Sequence, residues 1–199
     1  NDVLEALSET AVGANRLKLI VQDLRTLTRK PPEHQTRVEV LPVLENALKL
    51  IRGELGDRAQ LERDFHEVPT VEADESRLNQ LFLNLLLNAV HAMEPGKATR
   101  NVLRVAAYTS EEGELVVEVQ DTGKGMSPEV LSRIFEPFVA SRPSDTGLGL
   151  SVSHAIASGL GGTLRAESRE GRGTRLTLTL PGAVEETEET GSPPARLAG

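Results

Sequence analysis

Residues 77–93, RLNQLFLNLLLNAVHAM, are apolar around most of a helical circumference, yet a row of amides and an imidazole runs through them. Leu78, Leu81, Phe82, Leu85, Leu86 and Ala89 recur at helical spacing, so the segment has to be packed on several sides and belongs at the centre of a fold. Gln80, Asn84, Asn88 and His91 fall at i, i+4, i+8 and i+11, which lines them up along the same helix. Asp74 is the expected N-cap, and the helix is expected to run to about Met93. Burying an amide without a partner costs roughly 1–3 kcal/mol, so something polar must meet this row. Backbone or water commonly satisfies one such Asn. Two of them a turn apart, with His91 beyond, point to a ligand such as phosphate oxygens with a hydrated divalent cation, for which amide oxygens are suitable partners.

The surroundings of that helix are read from the rest of the chain. A short strand (TRVEVL, 36–41) and a helix from about Pro42 to Arg52 precede it, with strand-like QLERDF and TVEAD on either side of Val68-Pro69. Two alternating segments, Val102–Thr109 and Glu114–Asp121, form a hairpin around Glu111-Glu112-Gly113. Ser127-Pro128 opens a short helix, another helix begins near Gly147, and strands Thr163–Ser168 and Thr174–Leu180 end at Pro181-Gly182. Irregular alternation with adjacent hairpins predicts an α+β fold, a two-layer sandwich in which helices cover one face of a mixed sheet. A long helix is expected ahead of it over residues 1–30, where Leu17, Ile20, Leu24 and Leu27 form one stripe that Pro31-Pro32 ends. The resulting domains are a helix at 1–30, a linker at 31–37, a globular domain at 38–181 and an acidic, disordered tail at 182–199.

Composition removes several classes of function. Cysteine is absent, which excludes disulfides, thiolate zinc sites and cysteine nucleophiles. With 22 basic and 30 acidic residues the net charge is −8, and aromatic residues make up 3 % of the chain, so nucleic-acid binding is not expected. No apolar run has membrane-spanning length and the chain does not open on a signal segment, so no direct membrane contact and a cytoplasmic location are expected.

Two glycine-bearing stretches carry further chemistry. DTGKGM (Asp121–Met126) follows a strand and places a carboxylate where it can accept from an exocyclic amine, while Gly123 and Gly125 allow positive φ or close approach of a ligand. Alone, such a D-x-G-x-G stretch is more often an ordinary tight turn. SDTGLGLSVS (144–153) sets Gly147 and Gly149 before an apolar helix, where free N–H groups and the helix dipole can receive a phosphate chain. No Walker A loop, protein-kinase motif set, H-E-x-x-H or G-x-S-x-G is present.

In their order along the chain, these segments resemble the ATP-binding catalytic domain of sensor histidine kinases, within the superfamily that includes gyrase-type topoisomerases and heat-shock chaperones. Asn84–Met93 resembles the N box, Asp121–Met126 the G1 box, Ile134–Phe138 the F box, Thr146–Leu150 the G2 box and Gly161–Thr174 the last glycine box. The resemblance implies ATP and Mg²⁺ as cofactors. It implies that Asn88 holds the metal, that Asn84 supports that site and that His91 contacts phosphate. Asp121 takes the adenine amino group beside Thr174, Gly123, Gly125 and Met126 wrap the base, and Thr146, Gly147, Leu148 and Gly149 meet the phosphates. Glu136–Thr146 would be a lid whose one basic residue, Arg142, contacts the γ-phosphate. Asp145 stands where the family commonly has Gly ahead of Thr146.

The same resemblance makes residues 1–30 the second helix of a dimerisation and phosphoacceptor hairpin. It implies a homodimer in the full-length protein, a phosphoacceptor helix in the same or a partner kinase, and a response-regulator receiver domain as partner. None of His34, His66, His91 and His154 has phosphoacceptor context, so the acceptor histidine is absent from the chain. The related ATPases carry a water-activating Glu one turn before the metal-binding Asn; Asn84 stands there and cannot take a proton, which favours a kinase. The alternatives are an anti-sigma-type protein-serine kinase and a non-catalytic nucleotide-binding dimerisation module.

Overall fold

The computed structural model describes residues 35–139 and 146–183. The helix expected over 1–30, Arg142 and the tail beyond 183 therefore lie outside the described residues. The elements in chain order are β1 (Thr36–Val38), α1 (Val40–Leu50), α2 (Arg52–Leu55), β2 (Gln60–Phe65), β3 (Val71–Ala73), α3 (Glu75–Ala92), β4 (Val102–Thr109), β5 (Leu115–Asp121), α4 (Pro128–Leu131), α5 (Gly149–Gly159), β6 (Thr163–Arg169) and β7 (Gly173–Leu180).

Five strands form one mixed sheet in the order β2-β4-β5-β7-β6, with β2 parallel to β4 and the other neighbours antiparallel. Helices α3 and α5 pack on this sheet and on each other, and α1 packs on α3. The expected two-layer arrangement is thus present among the described residues. A second, two-stranded sheet pairs β1 with β3 through Thr36↔Ala73 and Val38↔Val71. It brackets the chain before and after β2, a pairing that the local sequence pattern does not reveal.

Local chemistry accounts for most boundaries. The Asp74 side chain accepts from the Arg77 N–H at 3.1 Å and starts α3; the Ser127 hydroxyl accepts from the Val130 N–H at 3.4 Å and starts α4. Strand β1 stops at Val38 and α1 begins at Val40, two residues before the expected Pro42. Proline is accommodated because its missing N–H falls among the first-turn donors that have no helical partner anyway. Val40, Val43, Leu44, Ala47 and Leu48 then bury one stripe of α1.

Strand pleating decides what faces the helices. On β5, Leu115, Val117 and Val119 are buried inward, and the period of two carries Asp121 to that same face. Register extends the row sideways. Asp121 is opposite Leu103 on β4 and Thr174 on β7, and Thr174 is opposite Ser168 on β6. One apolar sheet face therefore ends in a short polar edge.

Phe82, fully buried in α3, is among the largest side chains in the core. Phe82→Ala is expected to lower the unfolding free energy by about 3–5 kcal/mol through lost burial and an unfilled cavity. Urea unfolding should show a lower midpoint with an unchanged slope.

Candidate functional site

The polar edge is centred on Asp121, which is 2 % exposed. Its Oδ1 accepts from the Gly123 N–H at 2.8 Å. Burial pushes the carboxyl up to about 6, against the downward pull of the Gly123 and Thr174 backbone N–H groups. Thr174 is also buried, and its hydroxyl lies 2.9 Å from that of Ser168. Ser168 accepts from the Met126 N–H and donates to the Gly173 carbonyl, each at 2.9 Å, so it ties the loop after β5 to the β6–β7 turn. Ser168 is not marked by the sequence, because its place beside Thr174 depends on strand order and register.

The loop after β5 is seated on the end of α3. The Lys124 N–H donates to the Ala92 carbonyl at 3.1 Å, supplying a partner to one of the terminal helix carbonyls. Gly123 is required by this contact, since a Cβ there would stand 2.5 Å from the same Ala92 oxygen. Gly125 adopts φ 64°, and a Cβ on it would meet the Arg169 carbonyl at 2.1 Å. Met126 is buried at the end of this loop.

The start of α5 meets α3 two turns earlier. Asn84 Nδ2 donates to the Gly149 carbonyl at 3.1 Å, and the same carbonyl accepts from the Ser153 hydroxyl at 2.9 Å. Gly147 adopts φ 69° with its carbonyl bound by the Phe138 N–H. The Leu148 N–H donates to Thr146 Oγ1 at 3.3 Å, so that group is engaged within its own turn. Unlike α3 and α4, α5 has no side-chain cap at its N-terminus. Among the described residues its first N–H groups meet no side-chain cap, and with the positive dipole end they can take an outside acceptor.

Asn88 sits halfway between these two anchor points, one turn from Asn84 and one turn from Ala92. It is half-buried and makes no side-chain hydrogen bond among the described residues. His91 Nε2 lies 2.7 Å from the Glu54 carboxylate on α2, a partner the sequence did not reveal. Asn84, Asn88 and His91 therefore share one helix with both glycine loops docked on it. Among the described residues no three His, Cys, Asp or Glu side chains gather into a metal cage. A cation here would have to draw most of its ligands from a phosphate chain and water, which suits Mg²⁺ and a single amide oxygen.

A family model described as "Histidine kinase-, DNA gyrase B-, and HSP90-like ATPase" matches residues 73–184. The sensor histidine kinase ZraS of Klebsiella oxytoca is 36 % identical over 181 residues, covering 89 % of this chain and 38 % of the relative. ZraS of Escherichia coli K12 is 34 % identical, with 86 % and 36 % covered. The chain thus spans less than two-fifths of the length of these relatives. Among solved structures, full-length ShkA in complex with AMPPNP superposes with a TM-score of 0.72 at 26 % identity, over 92 % of this chain and 38 % of that one. The mycobacterial sensor histidine kinase MprB gives 0.63 at 28 % identity, over 74 % and 97 %.

Burial of Asp121 has a measurable sign. Between the ordinary carboxylate value of 3.8 and about 6, the folded chain binds this proton more tightly than the unfolded chain, so stability falls as pH rises. The contribution is complete below 3.8 and is lost as pH climbs through about 6, leaving a penalty on the order of 2–3 kcal/mol for the buried charge. Asp121→Asn should therefore be more stable than the parent at pH 7.5, with the difference shrinking toward pH 4. Urea unfolding across that range checks this, and a pH-independent difference contradicts it.

Proposed function

Since the chain belongs to the histidine kinase-, DNA gyrase B- and HSP90-like ATPase family, we propose that it is the ATP·Mg²⁺-binding catalytic domain of a two-component sensor histidine kinase. The observation that carries this reading is the placement of Asn88 between two glycine loops. One of them bears the buried acceptor Asp121, and the other opens on an uncapped helix N-terminus. An acceptor for a purine amine, an amide for a metal and free N–H groups for phosphate are thereby offered along one face of α3.

In this reading Asp121 accepts from the adenine amino group, with Thr174 beside it and Gly123, Gly125 and Met126 forming the wall against the base. Asn88 holds Mg²⁺, which when bound neutralises charge on the phosphates. Gly147, Leu148 and Gly149 meet the phosphate chain, with the Leu148 N–H exchanging Thr146 for a phosphate oxygen. Arg142 is assigned to the γ-phosphate on the resemblance alone, being outside the described residues. His91, 2.7 Å from the Glu54 carboxylate, lies at the far end of the same row and is assigned to phosphate on the resemblance.

Phosphoryl transfer asks mainly for positioning and charge neutralisation. The proposed nucleophile is a neutral imidazole on a helix absent from the chain, so no strong base is needed. Asn84 is consistent with that, since its amide holds Gly149 and cannot take a proton. The phosphorylated histidine would then supply a response-regulator aspartate, in a full-length homodimer whose hairpin includes residues 1–30.

Two outcomes test this reading. Calorimetric titration with ATP should show tight binding in Mg²⁺, and Asn88→Ala should weaken it at least about tenfold in Mg²⁺ while changing little in EDTA. Labelled ATP should leave no acid-labile phosphate on this chain alone, yet label an added fragment carrying the phosphoacceptor helix.

A further inference from the structure

Ser168 belongs to none of the residues singled out for chemistry, yet its hydroxyl stands 2.9 Å from each of three groups: the Met126 N–H, the Gly173 carbonyl and the Thr174 hydroxyl. A hydroxyl has one proton and two lone pairs. An N–H can only donate and a carbonyl can only accept. The Gly173 bond therefore consumes the Ser168 proton, and the Met126 bond occupies one lone pair. What remains for Thr174 is the second lone pair, so Thr174 is the donor in that contact.

The consequence falls on the neighbouring strand. Thr174 stands opposite Asp121 in the register of β5 and β7, on the same inner face. With its proton committed sideways to Ser168, Thr174 has only acceptor capacity left for anything bound beside Asp121. We propose that Ser168 is a specificity-determining positioning residue: by orienting the Thr174 proton away from the base, it makes the pocket all-acceptor, which selects a 6-amino purine and rejects a 6-oxo purine. This rests on the nucleotide reading given above. A site that presents mismatched hydrogen-bonding groups discriminates strongly, because the wrong base leaves buried polar atoms unpaired.

Ser168→Ala frees the Thr174 hydroxyl to rotate and donate, which suits a 6-oxo group. The experiment compares binding of ATP and inosine triphosphate, both with Mg²⁺ at pH 8, by calorimetry on the parent chain, Ser168→Ala, Ser168→Thr and Thr174→Val. The parent should prefer ATP. Ser168→Ala should reduce the ATP-to-inosine ratio about tenfold, Ser168→Thr should restore it, and Thr174→Val should lower it in a way that adding Ser168→Ala does not deepen. A merely structural role, acting through the lost Met126 bond, would weaken both nucleotides together; an unchanged ratio in Ser168→Ala therefore overturns the inference. If Ser168→Ala does not fold, Thr174→Val decides alone, and an unchanged ratio there overturns it equally. A parent chain that binds neither nucleotide overturns the nucleotide reading and this inference with it, a result distinct from tight binding without a change of ratio.

Discussion

The site depends on a carboxylate carried by strand pleating onto the apolar face of a sheet. Asp121 continues the inward series Leu115, Val117 and Val119 and ends it at the last residue of the strand. Had β5 slipped by one in register, the acid would face the opposite side and remain ionised at little cost. Instead it is buried, its proton held up to about 6, beside a single short row of polar side chains. A buried acceptor with few internal partners is costly for an empty protein and useful only where a donor arrives from outside. The fold tolerates it because the following loop and the neighbouring strand β7 each supply a backbone N–H group, with a Thr–Ser pair at that edge.

The same edge is coupled to α3 by backbone approach. The backbone bond from Lys124 to Ala92, with Gly123 close against it, and the side-chain bond from Asn84 to Gly149 fix two loops, from different parts of the sequence, to one helix eight residues apart. At a rise of about 1.5 Å per residue this is roughly 12 Å of helix, with Asn88 in the middle. Positioning along a rigid helix sets the spacing of groups more reproducibly than loops holding each other would. It also explains why the first loop needs glycine where it does: a methyl group at 123 would push against a carbonyl that is itself fixed in the last turn of α3.

Legibility in the sequence follows the range of the interactions. Helix α3, its Asp74 cap and the β4–β5 hairpin are readable because periodicity and capping act within a few residues. The alternating apolar series of β5 likewise marks Asp121 as a carboxylate at a strand end. What stays hidden is set by pairing between distant segments. The β1–β3 clasp, the parallel β2–β4 pair and the β7–β6 neighbour that brings Ser168 to Thr174 all need strand order, which no local pattern encodes. Glu54 escapes for the same reason: α2 has one short turn and no repeat to mark which side meets His91. Pro42 misplaces the start of α1, since proline inside a first helical turn obeys the same rule as proline just before one.

Asn84 ties these threads to chemistry. Its Nδ2 is a donor directed at the Gly149 carbonyl, in the turn that begins α5. An ionised Glu has no donor to offer, so at this position it would set a negative charge against a carbonyl oxygen and release the start of α5 from α3. In this chain the anchoring of the second glycine loop and the presence of a water-activating carboxylate are therefore mutually exclusive. On the proposed reading, the amide keeps the loop where N–H donors to phosphate are wanted, and in doing so withholds the general base that hydrolysis would use. On that reading, such a domain is suited to deliver a phosphoryl group to a nucleophile that needs no deprotonation, and poorly suited to spend ATP on water while that nucleophile is away.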